Sequence, residues 1–205
     1  MQSVSMTLVA DGTSDHRMLM PLIEVLMDQY CPVPFESHLA DWLPKGTQTT
    51  AERVKAAVKL YPCDVLFVHR DAESAEPAQR EAEIRHGFEG LPAAPSLICV
   101  VPVRMTEAWL LTSEIAIRAA VGNPQGAAAL KLPPLTKVES VDAKVVLLRA
   151  LEVAKDLGPQ RNRRFRPEAY RHRVAELLGD LTQLRQLPSF KHLESQVRSH
   201  FLSRT

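Results

Sequence analysis

Acidic side chains follow the predicted β-strands of this chain at the points where those strands end. Asp11 comes directly after the first predicted strand, Asp71 and Glu73 follow the third, and Glu107 follows the fourth after a few residues. In open α/β sheets, ligands bind outside the carboxyl ends of the strands, so we expect these acids to converge. Carboxylates at close range repel one another, and a divalent cation stabilises them. A set of Asp and Glu oxygens without His or Cys suits Mg²⁺ or Mn²⁺, which support phosphoryl transfer and phosphodiester hydrolysis.

A structural interpretation of the same acids is also open. An Asp at a strand end before Gly, as in Asp11-Gly12, is common in turns and at helix N-caps. The group Asp71-Ala72-Glu73 taken alone has the same ambiguity. Because both groups fall at the ends of alternate strands, their joint placement favours the metal site.

Alternating strands and helices over the first ~120 residues must position these acids. Apolar alternation and short apolar runs predict the strands, and apolar residues at helical spacing predict the helices between them. The spacing of Thr49 and Glu52 predicts a capping box at the start of one helix. This order predicts an α/β fold of the Toprim/Rossmann-like kind, with a mainly parallel sheet and helices on both faces. The predicted strands cover residues 3–10, 35–39, 64–69 and 96–103, and the predicted helices begin near residues 14, 49, 77 and 106.

A connection rich in Gly and Pro over residues 122–140 separates this pattern from the rest of the chain. It predicts an α/β domain over residues 1–121 and a helical C-terminal subdomain over 122–205. Helical patterns in the second part cover residues 142–156, 167–178 and 189–202.

Composition sets limits on the class of protein. The chain has 205 residues, of which 45% are hydrophobic and 24% charged, values typical of soluble globular proteins. The longest apolar runs are far too short to cross a bilayer, and the N-terminus lacks a signal-peptide pattern. Three cysteines lie far apart with no CxxC pair, which argues against a disulfide framework or a zinc site. We therefore expect a cytoplasmic protein with no membrane association.

Positive charge is concentrated near the C-terminus. Residues 161–205 hold ten Lys or Arg against four acids, a charge of +6, which leaves −5 for residues 1–160 in a chain of net charge +1. Arginines match phosphate geometry, and the interleaved Phe165 and Tyr170 can stack on unpaired bases, so this segment predicts nucleic-acid binding. A solvated basic helix face that pairs with the acidic half is the alternative. The candidate nucleic-acid-binding residues are Arg70, beside the acidic cluster, and Arg161, Arg163, Arg164, Arg166, Arg171 and Arg173.

Several of these segments resemble known motifs. Residues 8–15 (Leu-Val-Ala-Asp-Gly-Thr-Ser-Asp) resemble the first motif of Toprim domains, and residues 69–73 (His-Arg-Asp-Ala-Glu) resemble their Asp-x-Asp motif. Residues 102–111 (Pro-Val-Arg-Met-Thr-Glu-Ala-Trp-Leu-Leu) are similar to a stretch of a Toprim-like family known as domain of unknown function 4276. Residues 142–144 and 187–190 also look like the helical half of that family.

The resemblance implies a Toprim fold and a Mg²⁺-dependent (or Mn²⁺-dependent) site that cuts or joins nucleic-acid phosphodiesters. Relatives in the wider group include overcoming-lysogenization-defect nucleases, and some members act beside a partner ATPase in antiphage defence. By the resemblance, Asp11 takes the place of a Glu that is a metal ligand or general acid/base, and Lys144 that of a lysine near the scissile phosphate. A solvated surface lysine is the alternative for Lys144. The metal ligands that the resemblance implies are Asp11, Asp15, Asp71, Glu73 and Glu107.

Two departures from the Toprim pattern bear on activity. Asp11 is one methylene shorter than the usual Glu, and Glu73 is one methylene longer than the usual Asp. Each shifts a carboxylate by about 1 Å, a displacement that can cost much of a rate. A nuclease, a nucleic-acid- or partner-binding module without turnover, and a small-molecule phosphohydrolase are therefore three open functions. The absence of a Walker loop or GxGxxG motif disfavours the third, and the oligomeric state, a homodimer included, is left open.

Overall fold

A computed structural model of the chain describes residues 3–44, 46–47, 49–91, 94–156 and 164–202. Within these residues, four strands pair side by side and every pairing is parallel. The strands are β1 (Val4–Val9), β2 (Phe35–Leu39), β3 (Val65–His69) and β4 (Ser96–Val100), and they lie in the order β2-β1-β3-β4.

Helices connect the strands and make up most of the second half. The first half holds α1 (Thr13–Tyr30), α2 (Thr50–Leu60), α3 (Pro77–Phe88), α4 (Glu107–Leu110) and α5 (Glu114–Ala120). The second half holds α6 (Ala143–Lys155), α7 (Arg171–Glu176) and α8 (Pro188–Leu202), with 3₁₀ turns at Leu135–Lys137, Pro167–Tyr170 and Leu184–Gln186.

The register of the sheet decides which loops meet. Leu8 of β1 lies opposite Leu39 of β2 on one side and Phe67 of β3 on the other. Because all strands run the same way, the loops that follow β1, β2, β3 and β4 emerge at one edge, which we call the carboxyl edge. The acids that follow β1 and β3 therefore leave neighbouring central strands.

Both faces of the sheet are covered, because side chains alternate along each strand. Val65 and Phe67 of β3 pack on one face in a core shared with α1 and the C-terminal helices. Leu66 and Val68 pack on the opposite face with Val54 of α2 and other residues of α2 and α3. This arrangement explains the continuous apolar run of β3, since a strand buried on both faces needs no polar alternation.

The predicted α/β fold with a helical C-terminal part is confirmed. The capping box is also confirmed: the Thr49 hydroxyl accepts from the Glu52 N–H at 3.2 Å, and the Glu52 carboxylate accepts from the Thr49 N–H at 2.9 Å. Helix α5 was not predicted, and residues 167–170 form a 3₁₀ turn rather than α-helix. None of the helices within the described ranges is both long and apolar enough to cross a membrane.

Candidate active site

The segments after β1, β3 and β4 bring four of the five predicted metal ligands near one another at the carboxyl edge. Asp71 lies near enough to Asp11 and to Asp15 for its charge to raise the pKa of both carboxyls. Glu107 likewise raises the pKa of Asp15. We call the space among Asp11, Asp15, Asp71 and Glu107 the crevice.

Asp71 is held in place by two side chains at the centre of the crevice. The Thr106 hydroxyl donates to Asp71 Oδ1 at 3.2 Å, and His69 Nε2 lies 3.1 Å from the same oxygen. The His69 ring is fully buried at the end of β3, and its Nδ1 has no hydrogen-bond partner within the described part of the chain. A proton on Nε2 lets the ring donate to Asp71. His69 and Thr106 thus fix the orientation of Asp71.

Asp15 stands at the third position of α1, where its Oδ2 accepts from the Gly12 N–H at 3.1 Å. Burial is the main cause that raises its pKa, and His69 is the main group that lowers it. The helix-capping role weighed for acids in this loop is therefore filled by Asp15 rather than by Asp11.

Asp11 is one-third exposed and pairs with Arg70, whose Nε lies 3.4 Å from its Oδ2. Burial raises the pKa of this carboxyl above its ordinary value, and the Arg70 guanidinium is the strongest opposing influence. Arg70 is thus found beside the acids, as the sequence predicted.

Glu73 and Glu107 are placed differently from the other acids. Glu73 is 71% exposed and pairs with Arg80 of α3 at 3.7 Å. Glu107, in contrast, is buried and forms an ion pair with Arg171 of α7. Arginines therefore engage three of the five predicted ligands.

Backbone strain marks the rim of the crevice. Beyond the ends of β3 and β4, the Ala72 N–H donates to the Pro102 carbonyl and the Glu73 N–H to the Arg104 carbonyl, each at 3.0 Å. Glu73 and Arg104 both have positive φ, 54° and 64°, a conformation that costs energy for residues other than glycine. Such strained residues cluster at functional sites.

The oxygen atoms of the crevice are of the kind that binds a divalent cation, but the distances between its side chains are too long for three of them to bind one ion. Its side chains offer carboxylate oxygens, the ligands that Mg²⁺ and Mn²⁺ prefer. Burial raises the pKa of both Asp11 and Asp15, the Asp71 charge raises both further, and a cation would relieve that repulsion. Among the residues whose positions are described, however, no three His, Cys, Asp or Glu side chains are grouped closely enough to hold one ion.

The main chain of Lys144 contacts the loop that leads to Glu107. Its N–H donates to the Met105 sulfur at 3.3 Å, two residues before Glu107, while its side chain is exposed. The structure thus brings the start of α6 to the loop that carries Glu107.

The predicted arginine patch divides into three groups. Arg164, Arg166 and Arg173 are exposed, and Arg173 pairs with Glu176 at 2.8 Å. Arg171 is largely buried in its ion pair with Glu107, and it also lines a surface pocket with Arg17 and His172. The two remaining candidates, Arg161 and Arg163, lie outside the described residues.

The aromatic residues of that segment pack inward. Phe165 and Tyr170 lie with their ring centroids 5.0 Å apart and pack against the core on the α1 face of the sheet. Their position supports a role in packing rather than in stacking on a base.

Sequence reasoning missed several residues around the crevice. No local motif indicates these residues, because their partners are distant in sequence. Thr106 lies 35 positions from Asp71, Arg80 lies 7 from Glu73, and Arg171 lies 64 from Glu107. Arg53 of α2 was also missed; its guanidinium donates to the Ala10 carbonyl at the end of β1.

His16 follows Asp15 in α1 and contacts the main chain just after β1. The ring is buried, and its Nε2 accepts from the Ala10 N–H at 3.0 Å, so Nδ1 carries the proton. Burial is the main cause that lowers the pKa of His16, with Arg53 acting in the same direction. Because Nε2 of His16 is hydrogen-bonded to the main chain, the ring supports the loop after β1 and this nitrogen is not available to a metal.

Comparisons with protein-family models, with curated proteins and with solved structures found no match to this chain. The resemblance to the Toprim-like family stays a prediction that depends on the motifs themselves.

Proposed function

We propose that this chain is a metal-dependent nuclease that hydrolyses nucleic-acid phosphodiesters with Mg²⁺ or Mn²⁺. The observation that carries the proposal is the convergence of Asp11, Asp15 and Asp71 at the ends of two neighbouring central strands, where the Asp71 charge raises the pKa of the other two carboxyls. The resemblance of residues 8–15, 69–73 and 102–111 to Toprim-like motifs supports the same chemistry.

Asp11 and Asp71 would supply the protein ligands, and water and the substrate phosphate would complete the shell, since Mg²⁺ is commonly bound through one or two carboxylates. When bound, a divalent ion activates water and neutralises the charge that develops on the phosphate. Both hydrogen bonds to Asp71 use Oδ1, and Oδ2 accepts none from the residues that the structure describes. His69 and Thr106 therefore preorganise Asp71, with one of its oxygens left for a ligand.

The arginines at the crevice would recognise the phosphate. Arg70 neutralises Asp11 in the absence of ligand, and a cation at Asp11 would release its guanidinium for a phosphate oxygen. By the resemblance, this chain would act beside a partner ATPase in antiphage defence. The ATPase would be a separate protein, because this chain has no Walker motif.

A second function is favoured by the same ion pairs. Because arginines already engage Asp11, Glu73 and Glu107, the crevice is partly neutralised without a metal. A module that binds nucleic acid or a partner protein without turnover would have this arrangement.

The test compares cleavage of plasmid, linear duplex, single-stranded DNA and RNA in Mg²⁺, Mn²⁺ or EDTA. In Asp71→Asn we expect a loss of at least about 100-fold, because a catalytic metal site supplies several kcal/mol of transition-state stabilisation. Asp28→Asn is the matched control, since Asp28 is exposed near the far end of α1 and should leave the rate unchanged. Cleavage that survives in Asp71→Asn would contradict the assignment, and a folded wild type that cuts nothing would favour the binding module.

A further inference from the structure

Trp42 is placed at the carboxyl edge with its side chain in solvent. It lies in the loop that follows β2, and it is 65% exposed. The sequence holds two tryptophans, and the other, Trp109, is fully buried. An indole left in water forgoes a large gain from burial, and its exposed ring is accessible to a ligand.

The main chain of Trp42 is fixed although its ring is exposed. The Trp42 N–H donates to the Tyr61 hydroxyl at 3.2 Å, and that hydroxyl donates to the Trp42 carbonyl at 2.9 Å. Tyr61 itself packs against the core on the α2 face of the sheet. The ring is therefore presented from a held position, which reduces the entropy lost when a partner stacks on it.

The loop of Trp42 is continuous with the crevice. Ala40 donates its N–H to the Leu8 carbonyl at 2.9 Å, which places this loop beside the end of β1. Between the two loops lies a cavity of about 200 Å³, lined in part by Asp11, Asp41 and Arg53. The loop that carries Trp42 thus borders a cavity that reaches Asp11, and Arg53 in the lining of that cavity suits a phosphate.

We propose that Trp42 stacks on an unpaired base of a single-stranded nucleic acid whose backbone enters the crevice at Asp11. The inference rests on the proposed function, and it narrows the substrate class to single strands or to single-stranded regions. In a duplex the base faces are already stacked, whereas every unpaired base offers a face to an aromatic ring. Stacking of this kind tolerates any sequence, so the expected preference is for strandedness rather than for base identity.

The test uses the fluorescence of the full-length protein. Trp109 is buried, and its indole N–H is hydrogen-bonded to Ser189. Quenching of tryptophan fluorescence by an added oligonucleotide therefore reports on Trp42. We expect saturable quenching by oligo-dT and by oligo-U in EDTA, and little by a duplex of the same length. In Trp42→Ala the affinity measured with a labelled oligonucleotide should fall about 5- to 150-fold, with much of it retained in Trp42→Phe.

Two controls separate stacking from other effects. Ile115→Ala removes a side chain that is 80% exposed elsewhere, on α5, and should leave binding unchanged. In Trp42→Phe the remaining emission comes from Trp109, and its unchanged spectrum reports an intact core.

The outcomes distinguish this inference from the proposed function. Unchanged affinity in Trp42→Ala, or equal quenching by duplex, would overturn the stacking role even where Asp71-dependent cleavage persists. Trp42-dependent binding without cleavage in any metal would uphold the stacking role and refute the nuclease. If no oligonucleotide binds and none is cut, both proposals are wrong. The dT and U arms show whether the bound strand is DNA, RNA or either.

Discussion

The surroundings of Asp15 disfavour the ionised form of its carboxyl. Burial raises the pKa of the carboxyl above its ordinary 3.8, and the neighbouring Asp71 and Glu107 raise it further. A carboxyl whose pKa is higher in the folded chain than in the unfolded chain binds its proton more tightly when folded. Ionisation of Asp15 therefore favours the unfolded chain. Below pH 3.8 the group does not lower the free energy of unfolding, and above pH 3.8 it lowers that free energy more as the pH rises.

Asp15→Asn should therefore stabilise the protein at pH 7 relative to wild type, and by less at pH 4. The amide oxygen of Asn can still accept from the Gly12 N–H, so the helix start is preserved. Thermal unfolding at several pH values measures the difference in Tm, with Asp28→Asn as the control for loss of an exposed charge. The same Tm difference at pH 4 and pH 7 would show that the Asp15 charge is not opposed.

Helices α4 and α7 are joined by one buried ion pair. Glu107 of α4 and Arg171 of α7 have side chains that are only 6% and 14% exposed. In such a pair the attraction and the desolvation cost are both large, so removal of one partner leaves a buried charge uncompensated.

Arg171→Met and Glu107→Gln should each lower the free energy of unfolding by about 3–5 kcal/mol. The double variant should cost less than the sum of the two, because it leaves neither charge buried alone. Urea denaturation gives the four values of the cycle. Arg173→Met is the control on the same helix: Arg173 is 53% exposed in its pair with Glu176, and its loss should cost less than about 1 kcal/mol. Additive losses would argue against direct coupling between α4 and α7.

At the scale of the whole molecule, one core joins the sheet to the C-terminal helices. The Trp109 ring of α4 meets Phe190 of α8 edge to face, with centroids 5.2 Å apart. The Trp109 indole N–H donates to the Ser189 hydroxyl at 2.8 Å, and that hydroxyl donates to Glu139. The last helix is therefore part of the structure that holds the Glu107 segment at the crevice.

Phe190→Ala should destabilise the entire chain by about 3–5 kcal/mol, because it leaves a cavity beside Trp109. The emission of Trp109 should change in the same variant, since its aromatic contact is lost. Leu202→Ala on the same helix removes a side chain that is 63% exposed and should change stability by less than about 0.5 kcal/mol. A Phe190→Ala protein as stable as wild type would show that α8 is not needed for the core.

The sequence by itself determined the order of strands and helices, the capping box of α2 and the acids at the strand ends. These features depend on local periodicity and on residues a few positions apart, such as Thr49 and Glu52. Helix α5 was missed because it is short, although Ser113 caps its first turn. That the loops after β1 and β3 meet follows from parallel pairing, which a βαβ pattern already implies.

Only the tertiary structure decided which groups engage those acids. Arg171 lies 64 positions from Glu107, and their contact depends on how α7 packs against α1 and α4. The exposure of Trp42 and the burial of Phe165 and Tyr170 likewise depend on which surfaces the folded chain covers. Ion pairs and burial are set by distances between elements remote in sequence, and no local pattern encodes those distances.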